Sequence, residues 1–129
     1  MPVALVVGMS IRFRQPHANF AVWWKGALLF AGWTLVVLWV VGAWEEFYFR
    51  GMLQQLLVKR MGMIAGLAVT SVLFGLAHLP FGQFPNWKMA LMAAIAGLFY
   101  GWAYQRAGSV RAAAVTHALV VASWKVFFG

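Results

Sequence analysis

Residues 26–44 read GALLFAGWTLVVLWVVGAW, and Thr34 is the one polar residue in this run. A helix needs about 20 consecutive apolar residues to cross the hydrocarbon core of a bilayer, and this run is close to that length. The strands of a membrane barrel would alternate apolar and polar residues instead. The run therefore predicts a transmembrane helix and an all-α membrane fold.

The composition of the whole chain supports the same interpretation. Of its 129 residues, 64% are hydrophobic and 9% are charged, and the mean hydropathy is +0.82. Soluble domains are typically about 25% charged and 45–50% apolar. There is no cysteine, which excludes disulfides and thiol catalysis. We therefore expect residues 1–129 to form a single integral-membrane domain, a polytopic bundle of about four to five transmembrane helices.

Apolar runs and helix breakers divide the chain into five predicted helices. They cover residues 23–42, 44–58, 61–79, 88–104 and 110–128. The second is short, so it either dips into the bilayer or continues the first helix with a kink. Small residues at a spacing of four predict close packing of the third and fourth helices: Gly62 and Gly66, then Ala93, Gly97 and Gly101.

The net charge of +8 would suggest nucleic-acid binding in a soluble protein. Here the basic residues flank apolar runs, as topology signals do, so we expect membrane lipids and no nucleic acid as partners. If all five helices cross, one face of the membrane collects Arg12, Arg14, Lys25, Lys59, Arg60, Arg106 and Arg111. The positive-inside rule then places the N-terminus in the cytoplasm. Residues 1–14 make a poor signal peptide and are interpreted as the stub of a helix.

Glu45 and Glu46 are the only acidic residues of the chain, and they follow the first apolar run directly. An ionisable residue at bilayer depth is costly and therefore indicates a functional site. Glu46 and Arg50 are four residues apart, so they share a helix face and are predicted to form a bracing ion pair. Glu45 points about 100° away, without a partner on its own helix. It is the candidate general base.

Two histidines complete the set of candidate residues. His78 lies near the end of the third predicted helix, and His117 lies within the fifth. We expect Glu45 and His78 to meet at one membrane level, with His117 one or two turns deeper. These three side chains suit either metal-free activation of a water molecule for peptide hydrolysis or the binding of Zn²⁺. The strong zinc-protease signature HExxH is absent.

These residues, in this order, resemble the motifs of the CPBP family, which comprises CAAX proteases and bacteriocin-processing enzymes and is also called the Abi family. The first motif, EExxxR, is present as Glu45, Glu46 and Arg50. The second motif, FxxxH, is present as Phe74 and His78. The resemblance implies an all-helical intramembrane protease in which Glu46, Arg50 and Phe74 support the site.

The third family motif is a histidine followed four residues later by asparagine. His117 matches the histidine, but Val121 stands at the asparagine position. By the resemblance, Glu45 activates the attacking water with help from His78, and His117 stabilises the oxyanion together with the asparagine. Valine cannot donate a hydrogen bond, so three outcomes stay open: reduced activity, another donor, or no activity.

The resemblance also bears on cofactor, substrate and location. A metal-free glutamate mechanism is preferred, and zinc held by Glu45, His78 and His117 is the alternative. The expected substrate is a peptide or protein, either with a lipidated tail or a bacteriocin precursor, and the expected location is a bacterial cytoplasmic membrane. Two other functions remain: a non-catalytic bacteriocin-immunity or scaffold protein with the family fold, and a small transporter or channel subunit that uses the buried polar cluster.

Overall fold

A computed structural model describes residues 23–128 of the protein, and they form four helices. We label them in chain order: α1 (Trp23–Met61), α2 (Met63–Leu76), α3 (Trp87–Ala107) and α4 (Val110–Phe128). The expected all-α bundle is confirmed, and four helices lie within the expected number. The interpretation of residues 1–14 and the placement of Arg12 and Arg14 fall outside the described residues.

Helix α1 joins the two predicted helices 23–42 and 44–58 into one of 39 residues. At 1.5 Å per residue it is about 58 Å long. This exceeds the roughly 30 Å hydrocarbon core of a bilayer, so α1 must tilt or extend beyond the core. Two π-helical segments, Val37–Gly42 and Phe49–Gln54, interrupt its regular α-helical hydrogen bonding. Of the two alternatives for residues 44–58, continuation of the first helix is the correct one.

The continuity of α1 corrects the five-span topology. Lys25 lies near the start of α1, and Lys59 and Arg60 lie in its last turn, so these basic residues are at opposite ends of one helix. They cannot share a membrane face through a second crossing of residues 44–58. The same continuity places Glu45 in the middle of α1 and not at the start of a helix.

The helices α1 and α4 are both long and apolar enough to cross a membrane, while α2 is apolar but shorter. The first 14 residues of α1 contain no buried residue, and large apolar side chains such as Trp39 and Trp44 are more than 70% exposed. Such exposure is unfavourable in water and favourable against lipid. Together with the polar interior described below, this surface is that of a membrane protein.

Glycines set the closest contacts between the helices. A Cβ atom built on Gly75 of α2 would lie 2.5 Å from the carbonyl oxygen of Ala90 on α3, and one built on Gly66 would lie 2.6 Å from the nitrogen of Val58. On α3, the predicted small-residue face of Ala93, Gly97 and Gly101 is buried. Gly62 instead connects α1 to α2 with a φ of 89°, a conformation that favours glycine.

The end of α2 differs from the prediction in a way that matters for the site. The helix ends at Leu76, and residues 77–80 form turns instead of the predicted last helical turn. His78 therefore lies just beyond the helix. The boundaries of α4 agree with the prediction, and α3 begins one residue earlier and ends three residues later than predicted.

Candidate active site

Glu46 and Arg50 form the predicted ion pair inside the bundle. The Nη1 atom of Arg50 lies 3.1 Å from Oε2 of Glu46, and both side chains are completely buried. A second guanidinium nitrogen, Nη2, donates a 2.7 Å hydrogen bond to the carbonyl oxygen of Gly97 on α3. The pair therefore ties the middle of α1 to α3.

Aromatic rings surround the Arg50 guanidinium. Its central carbon lies 4.6 Å from the ring centre of Phe74, 5.4 Å from that of Tyr100 and 5.9 Å from that of Phe49. Ring faces attract cations most strongly where water is excluded. These contacts, added to the charge of Glu46, compensate for burial of the arginine.

His117 projects from α4 onto the two glutamates of α1. Its Nδ1 atom lies 2.8 Å from Oε1 of Glu46, and its Nε2 atom lies 3.8 Å from Oε2 of Glu45. The first distance is that of a hydrogen bond, and the second is too long for one. The predicted division of the two glutamates is thus present in the structure: Glu46 forms ion pairs with Arg50 and His117, and Glu45 has no partner on its own helix.

Glu45 combines partial exposure with a buried, unpaired oxygen. Its side chain is 26% exposed, yet its Oε2 atom is buried and has no hydrogen-bond partner. It lies on the short α-helical segment Ala43–Tyr48, between the two π-helical segments of α1. Insertions of this kind are frequent at functional sites because they redirect side chains. The exposed part of this side chain leaves the carboxylate accessible to water or substrate.

His78 lies beside this cluster but outside its ion pairs. Its Nδ1 atom is 2.8 Å from the carbonyl oxygen of Phe74, and Phe81 stacks on its ring with centres 4.9 Å apart. Among residues 23–128, the ion pairs of the two glutamates involve Arg50 and His117 only. The ring of Phe74 contacts both histidine rings, at 4.6 Å and 5.8 Å. The predicted direct meeting of Glu45 and His78 is replaced by contact of Glu45 with His117.

The side-chain geometry does not fit the zinc site considered above. Within residues 23–128, no three His, Cys, Asp or Glu side chains are grouped closely enough to hold a metal ion. Glu45 and His117 are neighbours, but His78 is not placed as a third ligand with them.

The position of the missing asparagine is also defined. Val121 is half-buried on α4, one helical turn after His117. Ser123, two residues further, donates its hydroxyl hydrogen to the carbonyl oxygen of Leu119 at 2.8 Å. Valine has no polar side-chain atom, so position 121 offers only apolar surface.

Two residues of the polar core were not predicted from the sequence. Gln54 is completely buried on α1 and donates a 3.0 Å hydrogen bond to the carbonyl oxygen of Gly101. Tyr100 of α3 is 2% exposed and stacks on His117. The spacing held a signal for Gln54, since it follows Arg50 by four residues and so continues the polar face of α1.

Comparison with family models matches residues 25–123 to the type II CAAX prenyl endopeptidase Rce1-like family. The matched segment covers most of the chain and includes every candidate site residue. Comparisons with curated proteins and with solved structures give no match. The motif residues occur in the matching order, Glu45, Glu46, Phe74, His78 and His117. The chain therefore belongs to the type II CAAX prenyl endopeptidase Rce1-like family.

Proposed function

We propose that this protein is an intramembrane endopeptidase in which Glu45 activates a water molecule. The observation that carries the proposal is the position of Glu45, whose side chain is 26% exposed and whose Oε2 atom lies 3.8 Å from Nε2 of His117. Because the Glu45 side chain is part-exposed, a water molecule can reach its carboxylate beside His117. Membership of a family of endopeptidases makes hydrolysis of a peptide bond the reaction that this water serves.

The proposed chemistry is general base catalysis of amide hydrolysis. Glu45 takes one proton from the water as the water oxygen attacks the carbonyl carbon of the substrate. The tetrahedral intermediate then collapses, the carbon–nitrogen bond breaks, and the proton passes from Glu45 to the leaving amine. The carboxylic acid formed then gives its proton to the amine, so the products are a carboxylate and an ammonium group, and Glu45 is again ionised. The ion pair of Glu46 and Arg50 holds α1 in place throughout this cycle.

The substrate that best fits the site is a peptide attached to the membrane. The family description names CAAX prenyl endopeptidases, which favours a C-terminal peptide carrying a lipid on cysteine. The exposed apolar surface of α1 would keep such a lipid in the bilayer while the peptide reaches the part-exposed Glu45. A bacteriocin precursor is the alternative substrate, and a bacterial cytoplasmic membrane is the proposed location.

The test is cleavage of a fluorogenic farnesylated CAAX peptide by purified protein in proteoliposomes. Glu45→Gln keeps the size of the side chain but removes the base, so we expect cleavage to fall to background. Thr34→Val is the matched control, because Thr34 lies on the same helix and its hydroxyl bonds only within α1, to Phe30. Both variants should keep the wild-type helical circular dichroism. Normal cleavage by folded Glu45→Gln protein would refute Glu45 as the base.

A second function is favoured by Val121. A member of the family without an oxyanion donor at this position fits a non-catalytic immunity or scaffold protein. In that case Glu45→Gln and His78→Ala variants would retain full biological activity, and no peptide would be cleaved. The partial exposure of Glu45 favours the enzyme, because a carboxylate that only braces the bundle would be completely buried, as Glu46 is.

A further inference from the structure

The ring of His78 is held by one hydrogen bond. His78 lies in the turns of residues 77–80, beyond the end of α2 at Leu76, and it is 8% exposed. Its Nδ1 atom lies 2.8 Å from the carbonyl oxygen of Phe74. A carbonyl oxygen only accepts, so Nδ1 carries the hydrogen, and in the neutral ring Nε2 is the nitrogen that can accept. A single bond lets the ring turn about it, so the plane of the imidazole depends on the neighbouring side chains.

The ring of Phe81 lies against the ring of His78. The two ring centres are 4.9 Å apart, and the planes are inclined by 18°. Phe74 contacts the same imidazole at 4.6 Å, but with planes inclined by 52°. Among residues 23–128, Phe81 therefore has the ring that lies most nearly parallel to that of His78. Rotation of the imidazole about its bond to Phe74 would break this stack.

Asn86 fixes the loop that carries Phe81. Phe81 is 53% exposed, so packing in the core contributes little to its position. The side-chain amide of Asn86 donates a 2.9 Å hydrogen bond to the carbonyl oxygen of Phe81, and its backbone N–H donates one of 2.9 Å to that of Leu79. Its side-chain oxygen accepts a 3.0 Å bond from the backbone N–H of Met89 in the first turn of α3. One asparagine thus caps α3 and holds residues 79–81 against the start of that helix.

Gly82 allows the chain to turn back towards Asn86 directly after Phe81. Its φ of 77° lies in the left-handed region that favours glycine. A Cβ atom built on Gly82 would lie 3.7 Å from the side-chain nitrogen of Asn86. The turn therefore brings the amide of Asn86 within reach of the Phe81 carbonyl group.

The loop is joined to the rest of the site through α3. Arg50 of α1 donates a hydrogen bond to the carbonyl oxygen of Gly97, so α3 is held against the helix that carries Glu45. Because Asn86 attaches the loop to the start of α3, the position of Phe81 follows from the same packing of α1 and α3.

We propose that Phe81 is a positioning residue for His78, and that Asn86 keeps Phe81 in place. The carbonyl oxygen of Phe74 sets the tautomer of His78, Phe81 sets the plane of its ring, and Nε2 is left for the reacting atoms. The proposal rests on the proposed peptidase function and keeps the roles of the histidines that the family resemblance implies.

The contact is tested by NMR of the carbon-bound ring protons in histidine-labelled protein in detergent micelles. The chain has three histidines, and the signals lost in His78→Gln belong to His78. A phenyl ring moves protons above its face to high field, so we expect the His78 signals to move downfield in Phe81→Leu. Asn86→Asp keeps the oxygen that caps α3 but removes the donor to Phe81, and it should move the same signals in the same direction. Phe84→Leu is the matched control and should leave them unchanged, because Phe84 lies in the same loop, is 71% exposed and stacks on neither site histidine within the described residues.

This measurement needs no substrate, so it separates the proposal from the peptidase function. Absent cleavage by wild-type protein whose His78 signals respond to Phe81→Leu would refute the peptidase function and retain the contact. His78 signals that stay unchanged in folded Phe81→Leu protein would overturn the proposal whatever the activity. If Phe81→Leu fails to fold, nuclear Overhauser effects between the rings of Phe81 and His78 in the wild-type protein decide the matter, and their absence overturns it.

The role of Phe81 in the reaction is tested by paired substitutions with steady-state kinetics. Phe81→Leu removes the stack while the bond to Phe74 remains, so we expect kcat to fall on the order of 10-fold with little change in KM, as for a misplaced reacting group. Phe81→Tyr retains the ring and should recover most of the lost rate, and Phe84→Leu should keep the wild-type kcat. Equal loss in Phe81→Tyr and Phe81→Leu, or a wild-type kcat in Phe81→Leu, would overturn the positioning role.

Discussion

Arg50 of α1 donates a 2.7 Å hydrogen bond to the carbonyl oxygen of Gly97 on α3 while it pairs with Glu46 on its own helix. The approach depends on the glycine, since a Cβ atom at position 97 would lie 3.1 Å from Nη2 of Arg50. One guanidinium thus joins the acidic segment of α1 to the helix that carries Tyr100. The ion pair and the helix packing are therefore parts of one structure, and each has a measurable energetic consequence.

The Glu46–Arg50 pair should show strong coupling in a double-mutant cycle. Arg50→Met leaves a buried carboxylate without its cation, which costs about 3–5 kcal/mol. Replacing both residues, as in Glu46→Met with Arg50→Met, removes the uncompensated charge and should recover most of that loss. The measurement is the free energy of unfolding in mixed micelles titrated with denaturing detergent.

A matched control for this cycle is Arg60→Met, which removes an exposed arginine from the last turn of α1. It should change the free energy of unfolding by less than about 1 kcal/mol. The coupling is refuted if the double variant is as unstable as the sum of the two single variants.

Gly75→Ala should destabilise the bundle, and Gly32→Ala should not. A methyl group on Gly75 would meet the carbonyl oxygen of Ala90 at 2.5 Å and the Cβ atom of Ala94 at 2.7 Å, so α2 and α3 must move apart. Such overpacking costs about 1–3 kcal/mol. Gly32 has no atom within 4 Å of a built Cβ, and alanine is the better helix former there. Thermal unfolding followed by tryptophan fluorescence compares the two; equal unfolding temperatures would contradict the close α2–α3 contact.

The membrane-helix fold follows directly from local sequence. Continuous apolar runs identify the helices because a bilayer requires apolar side chains and internally paired backbones. The sequence left open whether the helix breaks or continues near Gly42, because a glycine can mark either a helix end or a close contact between helices. Here Gly42 is buried, and a built Cβ would lie 3.7 Å from the carbonyl oxygen of Ala114. Its role in helix contact depends on α4, which local sequence does not reveal.

For the candidate site, the sequence predicted the contacts within one helix but not the contacts between helices. Spacing alone paired Glu46 with Arg50 and separated Glu45 from them, because residues four apart share a helix face. The choice between His78 and His117 as neighbour of Glu45 depended on where α2 ends and on the continuity of α1. Tyr100 carried no sequence signal, since its stacking on His117 requires the relative rotation of α3 and α4. Contacts between helices, unlike contacts within one, need the packed structure.

Metal removal should leave peptide cleavage unchanged. Glu45 and His117 are adjacent, but among residues 23–128 they do not gather a third ligand, so a metal ion would be held weakly. We expect cleavage of the CAAX peptide to be the same before and after dialysis against a chelator. Elemental analysis of the purified protein gives the metal content in parallel. Stoichiometric zinc that is lost together with activity, and restores activity when added back, would contradict the metal-free mechanism.

Val121→Asn should increase the rate of cleavage. Position 121 is half-buried and lies one turn from His117 on α4, so a side-chain amide there faces the same side of the helix. An optimised oxyanion donor contributes on the order of 10²–10³ in rate, and a newly introduced one should contribute less, about 10-fold. The gain should appear in kcat, because the donor strengthens its bond only as negative charge develops on the carbonyl oxygen.

Val121→Ala controls for the change in size and should not raise the rate, and Glu45→Gln with Val121→Asn should be inactive. A folded Val121→Asn protein with wild-type kcat would mean that the oxyanion is stabilised from another position, and His78 would then be the first residue to test.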